Sequence, residues 1–228
     1  MDSMDSIIRT EGLGRAFPIV GGDPFWALKN ISIEIPVGKL TILRGKSGSG
    51  KTTLMNILSA LDRPTTGTVF FDGLDLSTQT DTALGNLRRK NVGFVFQSVA
   101  LIPVMNAYEN VEFALRLAGS KKDNRQRVEE CLKLVGLGSR MMHMPQELSG
   151  GEQQRVAIAR AMAHKPRVIF ADEPTAELDT NTGLQVIKIF KELAASDGIT
   201  FVMTTHDTGL MEFGDCVYEL KDGELVHE

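Results

Sequence analysis

A chain of 228 residues, 42% hydrophobic and 24% charged, has enough apolar material for one globular domain with a sizeable core. Its formal net charge of −4 argues against broad nucleic-acid binding, because neutralising a phosphate backbone needs a concentrated basic surface. Its two cysteines, Cys131 and Cys216, lie far apart without metal-ligand spacing, which argues against a disulfide framework or a zinc site.

The opening Met1-Asp2-Ser3-Met4-Asp5-Ser6 lacks the basic and apolar regions of a secretory signal, so a cytosolic location is expected. Short β-rich runs at Ile31 to Ile35, Leu40 to Leu43 and Val69 to Phe71, separated by Gly or Asp-Gly turns, predict an antiparallel sheet portion near the start. Another strand is expected over Val92 to Phe96. The clusters Arg88-Arg89-Lys90 and Lys121-Lys122 read as solvated faces. The longest charge-free stretch, Asn91 to Tyr108, contains Asn91, Gln97, Ser98, Pro103 and Asn106, which are costly in lipid, so it is not a membrane span.

From roughly Ser98 to Arg155 the pattern becomes helical, with amphipathic segments near Ala107 to Ala118 and Arg125 to Val135 interrupted by Gly136 and Gly138. This predicts a helical subdomain inserted into a single domain at about 98–155. Cys131 shares a helical stripe with Val128, Leu132 and Val135 and reads as a core thiol. The apolar runs Val168 to Ala171 and Thr200 to Thr204 lack alternation and flank a helical pattern carrying Val186, Ile189, Phe190 and Leu193. That is the signature of a parallel unit buried on both faces, and it makes the core α/β. Lys221-Asp222-Gly223 predicts a hairpin turn between Val217 to Leu220 and Glu224 to Val226.

The strongest local signal is Gly45-Lys46-Ser47-Gly48-Ser49-Gly50-Lys51-Thr52, a phosphate-binding loop pattern placed directly after the strand Leu40 to Leu43. Small residues are required because successive backbone N–H groups must turn inward around phosphate oxygens. Lys51 is placed to neutralise the β and γ phosphates, and Thr52 to offer a hydroxyl to Mg²⁺. The helix opening at Thr52-Thr53 aims its positive end at the polyanion.

A second acidic element, Asp172-Glu173, closes the apolar run Val168 to Ala171. Adjacent strand residues point to opposite faces, so the two carboxylates are expected to divide their tasks. Asp172 suits Mg²⁺ through its water shell; Glu173 suits orienting or deprotonating an attacking water.

Between these elements stands Leu148-Ser149-Gly150-Gly151-Glu152-Gln153-Gln154-Arg155, which resembles the signature motif of ABC ATPases. The resemblance extends over nearly the whole chain: Gln97 resembles the Q-loop glutamine, Ala176-Glu177-Leu178-Asp179 the D-loop, and His206 the switch histidine. Ala27-Leu28-Lys29-Asn30, Leu61-Asp62-Arg63-Pro64-Thr65 and Phe94-Val95-Phe96-Gln97 resemble the group serving lipoprotein release, macrolide-type efflux and the cell-division complex. Two departures stand out: Ala176-Glu177 where this group often has Gly-Asn, and Lys46 where many relatives carry proline. Lys51, Asp172, Glu173 and His206 are all present, so activity is expected.

The resemblance implies a P-loop core with a mixed sheet, an N-terminal antiparallel β subdomain and an inserted helical subdomain. It implies ATP and Mg²⁺ as ligands, with Thr52, Gln97 and Asp172 at the metal. Ser149, Gly150 and Gly151 present a hydroxyl and backbone N–H groups at a helix start, another anion site; in the family it reaches the γ-phosphate held by a second copy, with Asp179 at the subunit contact. The family also implies that His206 contacts the γ-phosphate and that an aromatic residue stacks on adenine. Phe17 is the nearest match, with Phe25 and Trp26 competing and a core role open to each. The expected protein is the ATP-hydrolysing subunit of a membrane transporter, dimeric and docked on a separate membrane-spanning permease; a regulatory or force-transmitting ATPase on a membrane partner is the alternative. The apolar segment Ser98 to Met105 suits that docking.

Overall fold

The computed structural model describes residues 6–120, 122–176 and 178–226; Met1 to Asp5, Lys121, Glu177, His227 and Glu228 fall outside it. Two sheets organise the chain. The first contains β1 (Ser6–Phe17), β2 (Phe25–Ile31), β3 (Glu34–Pro36), β5 (Thr66–Phe71) and β6 (Leu74–Asp75), antiparallel throughout in the order β2-β1-β5-β6, with β3 also on β1. The second runs β11-β10-β4-β9-β8-β7, from β4 (Leu40–Arg44), β7 (Val92–Val95), β8 (Val168–Asp172), β9 (Thr200–Thr205), β10 (Cys216–Lys221) and β11 (Glu224–Leu225). Its neighbours are parallel except for the closing β10-β11 hairpin.

Leu40 to Leu43 therefore belongs to the parallel sheet and not to the antiparallel portion expected from its turn-rich surroundings. Ile31 to Ile35 is likewise two strands joined by a short break. The long strand β1 escaped prediction because Ile7 and Ile8 are both buried and its pairings shift register around Gly12 and Gly14, which destroys the alternation that marks a strand.

The central strands are apolar without alternation because both faces are covered. Ile169 and Ala171 of β8, with Phe201 and Met203 of β9, pack into one cluster. Val168, Phe170 and Val202 face the other way into a second cluster. The first cluster holds α3 (Ala107–Leu117), α4 (Arg125–Leu134), α5 (Gly150–Met162) and α6 (Thr180–Asp197); the second holds α1 (Lys51–Leu58), α2 (Asp81–Asn91) and the antiparallel sheet. Helices α3, α4 and α5 fill the interval between β7 and β8, and α5 continues through Arg155 without a break.

The helix starts follow capping chemistry. Asn106 with Glu109, and Ser149 with Glu152, form reciprocal capping boxes on α3 and α5. Asp179 caps α6, which ends on Gly198 at φ +67°. One basic cluster departs from expectation: Arg88 is half-buried and donates to the Ala60 carbonyl at 2.6 Å, while Arg89 and Lys90 remain exposed.

Cys131 is fully buried in the helical cluster, and burial pushes its thiol up to about 11. At pH 8 native protein should react with a thiol reagent through Cys216 only, with Cys131 becoming titratable after denaturant is added. Rapid reaction at two thiols in the native state would show that the α4 packing is wrong.

Candidate functional site

The loop Gly45 to Gly50 leaves β4 and feeds α1, and its shape is enforced by what surrounds it. A Cβ at Gly45 would come within 2.3 Å of the Leu220 carbonyl, and one at Gly50 within 2.6 Å of the Ala27 carbonyl. Both glycines also have positive φ, at +149° and +102°. The loop is thus wedged between β2 and the C-terminal hairpin. Lys51 is buried, and its ammonium donates to the carbonyls of Gly45 at 2.7 Å and Lys46 at 3.0 Å, folding the side chain back over the loop.

Beside it opens a cleft of about 400 Å³, lined by Ser47, Gly48, Gly50, Lys51, Thr52 and Thr53. Gln97, Asp172 and Glu173 also line it, as do Phe17, Phe25 and Ala27. Trp26, the third aromatic candidate, does not line the cleft but sits against Gly14. Phe17 is backed by Arg15, whose guanidinium carbon is 4.6 Å from the ring centroid and which is fixed by paired hydrogen bonds to Asp62.

The acidic wall is hydrogen-bonded as a chain. Thr52 Oγ1 donates to Asp172 Oδ2 at 3.3 Å, and Thr204 Oγ1 donates to Asp172 Oδ1 at 2.6 Å. The same Thr204 oxygen accepts the Glu173 backbone N–H at 2.9 Å. Glu173 Oε2 lies 3.1 Å from His206 Nδ1. Strand alternation alone would have sent Asp172 and Glu173 to opposite faces. Both line the cleft instead, because Glu173 leaves the strand with φ +45°. Such a conformation costs a non-glycine residue about 1–3 kcal/mol and persists only where its surroundings enforce it. Here the Thr204 hydroxyl does so, a residue that sequence reading missed although it stands two before His206.

Ser149, Gly150, Gly151 and Asp179 lie outside this cleft. Ser149 Oγ accepts the Glu152 N–H at 3.3 Å, which leaves the hydroxyl proton for an outside acceptor. The Ser149 N–H holds the Glu152 carboxyl below the usual carboxylate range. A Cβ on Gly151 would meet Thr182 at 3.0 Å, so this helix start adjoins the segment carrying Asp179. Asp179 is occupied locally, accepting from the Asn181 and Thr182 N–H groups and from the Thr182 hydroxyl at 2.6 Å.

A glycine loop between a parallel strand and a helix, with a buried lysine and a carboxylate wall, defines a P-loop nucleoside triphosphatase. The chain matches the family described as ABC transporter over residues 28–176, and it belongs to that family. It is 45% identical over 214 residues to the ABC transporter ATP-binding protein MJ0796 of Methanocaldococcus jannaschii, covering 92% of this chain and 91% of that one. It is 42% identical over 225 residues to the macrolide export ATP-binding/permease protein MacB of Agrobacterium fabrum, covering 98% of this chain but 34% of MacB. The dimeric post-hydrolysis structure of MJ0796 bound to ADP and Pi superposes with a TM-score of 0.89 at 40% identity, covering 96% of this chain and 97% of that one. The cbiO1 subunit from Clostridium perfringens, part of the transporter complex cbiONQ, gives 0.88 at 30% identity over 98% of this chain and 88% of its own. The protein is thus an ATP-binding, ATP-hydrolysing cassette of the ABC type.

Thr204→Val keeps the shape of the side chain and removes the hydroxyl between Asp172 and Glu173. Losing both of the hydroxyl's hydrogen bonds, each worth about 1 kcal/mol, should slow turnover about thirty-fold, with little change in nucleotide affinity. Unchanged steady-state turnover would mean that the hydroxyl does not hold Glu173.

Proposed function

We propose that this chain is the ATP-hydrolysing subunit of a membrane transporter, working as a dimer with two nucleotides sandwiched between copies, on a separate membrane-spanning permease at the cytoplasmic face. The observation that carries the reading is the separation of two anion sites in one chain. The P-loop and the acidic wall share one cleft, whereas Ser149-Gly150-Gly151 opens a helix elsewhere, with an available hydroxyl and free N–H groups. Each copy then supplies what the other lacks.

In each composite site, Gly45, Lys46, Ser47, Gly48, Ser49 and Gly50 wrap the phosphates through backbone N–H groups, and Lys51 neutralises the β and γ oxygens. Phe17 stacks on adenine, its opposite face held by Arg15. Phe25, on the strand paired to it, forms the adjoining apolar wall. Glu173 orients a water and accepts its proton as the water oxygen attacks the γ-phosphorus and the bond to the bridging oxygen of ADP breaks. His206 steadies the Glu173 carboxylate and meets the γ-phosphate.

The oxygen donors Thr52, Asp172 and Gln97 are of the hard type that Mg²⁺ prefers, and the described residues contain no cluster of three His, Cys, Asp or Glu side chains that could hold a metal ion. That sparse donor set suits a cation held mainly by phosphates and water. Mg²⁺ would supply charge neutralisation across the β and γ phosphates.

Hydrolysis becomes work because nucleotide binds the closed dimer more tightly than the open one. Gln97 connects the cleft to the segment Ser98 to Met105. Around that segment, exposed Phe96 and Leu117 line a groove with Ile102 and Phe113, and exposed Val104 lines another that shares Phe113, a surface suited to an apolar helix of the permease. The helices and loops of about 98–155 act as the subdomain that presents this surface. No helix among the described residues is long and apolar enough to cross a membrane. The macrolide exporters that match this chain motivate export or extraction as the direction of work.

Glu173→Gln is expected to keep ATP affinity and to lose turnover by at least about a hundred-fold. Tagged Glu173→Gln protein, recovered from native membranes solubilised with ATP, should carry a membrane-spanning protein with it. Recovery of soluble partners alone would sink the transporter reading while leaving the ATPase standing.

A further inference from the structure

Helix α5 carries more than its Ser149 end. Two of its side chains grip backbone carbonyls in the segments on either side of the cleft's acidic wall. Gln154 is buried, and its amide Nε2 donates to the Pro174 carbonyl at 2.9 Å, one residue beyond Glu173. Arg160 reaches the other way, donating through Nη1 to the Ala100 carbonyl at 2.7 Å and through Nη2 to the Val99 carbonyl at 3.4 Å. Those carbonyls lie just beyond Gln97, and Ala100 is held at φ +46°.

Neither contact is a good investment in stability. Gln154 brings its Oε1 into the interior with no hydrogen-bond partner. Arg160 is a partly buried cation with neutral carbonyls as its acceptors, and burial lowers its pKa. A methionine or leucine at either place would remove that burden, but it would also take the donor away from the Pro174 or the Ala100 carbonyl. What both side chains do achieve is attachment of α5 to the two turns that carry Glu173 and Gln97.

From Ser149 to Arg160 the helix is unbroken and about 16 Å long. A continuous helix moves as one body, so a displacement at its first turn arrives at both contacts. We propose that Gln154 and Arg160 are positioning residues that link the two nucleotide sites of the dimer. Engagement of the partner copy's nucleotide at Ser149 sets α5, and α5 sets the Glu173 turn and the Gln97 turn of its own site. Each site then becomes competent only when the opposite one is filled. This rests on the sandwich reading given above.

The experiment compares Gln154→Leu, Arg160→Gln and Arg160→Lys with the parent for melting temperature, ATP affinity and kcat. It then follows amide hydrogen exchange over 97–101 and 173–176 in ATP-locked dimers carrying Glu173→Gln. Gln154→Leu removes a buried unpaired oxygen and also the donor of the Pro174 carbonyl, two opposed effects, so its melting temperature should change little while kcat falls about ten-fold or more at ATP affinity within about two-fold of the parent. Arg160→Gln should lose as much, and Arg160→Lys, with one ammonium for two carbonyls, should fall between. Both turns should be protected on dimerisation in the parent and stay fast in the variants.

Parental kcat and parental protection in folded variants would overturn the proposal, as would losses of turnover that merely track losses of melting temperature. Should Arg160→Gln fail to fold, Arg160→Lys and Gln154→Leu decide by the same criteria. If ATP does not dimerise the Glu173→Gln parent, the sandwich reading fails and takes this proposal with it.

Discussion

The structure depends on holding a dense negative charge with backbone N–H groups, which demands a loop whose close approach no side chain may obstruct. That demand reaches far beyond the loop. Gly45 is pressed against Leu220 of β10 and Gly50 against Ala27 of β2. A further backbone hydrogen bond joins Lys29 to Gly223 at 2.7 Å. The antiparallel sheet and the C-terminal hairpin therefore form the mould of the phosphate loop. β4, between β10 and β9, delivers it to the carboxyl edge of the parallel strands, where Asp172 and Thr204 also emerge.

The second constraint is angular. A carboxylate at the end of β8 can serve the cleft only one residue at a time unless the chain turns back. Glu173 meets this by entering the left-handed region, stabilised by Thr204, while Asp172 retains the strand geometry that brings it to Thr52. The two carboxylates keep separate partners in one cavity. In the proposed function this separation lets one serve charge neutralisation and the other the attacking water.

The features readable from the chain were those whose chemistry is local. The P-loop, the signature segment, Asp172-Glu173 and the unalternating runs of β8 and β9 each declare themselves within a few residues, and the fold class and family followed from them. Other features needed the third dimension. β1 hides behind bulges; β4 sits among turn signals and looks antiparallel; Arg88 resembles a surface charge until the Ala60 carbonyl is placed beside it. Thr204, Arg15 and Arg160 carry no motif of their own, because each acts through a partner between 31 and 60 residues away, and Gln154, though inside the signature segment, acts through Pro174, 20 residues on. Trp26 could not be separated from Phe17 and Phe25 without the register of β1 on β2, which turns it away from the cleft.

The central claim is that the signature turn serves a nucleotide held by another copy. It is tested most directly by light scattering of Glu173→Gln protein with and without a second change, Ser149→Arg, at saturating ATP. The account predicts that the single variant doubles in mass with ATP, and that the double variant binds ATP with the same affinity yet stays monomeric. A double variant that still dimerises, or one that loses ATP binding as a monomer, would contradict it.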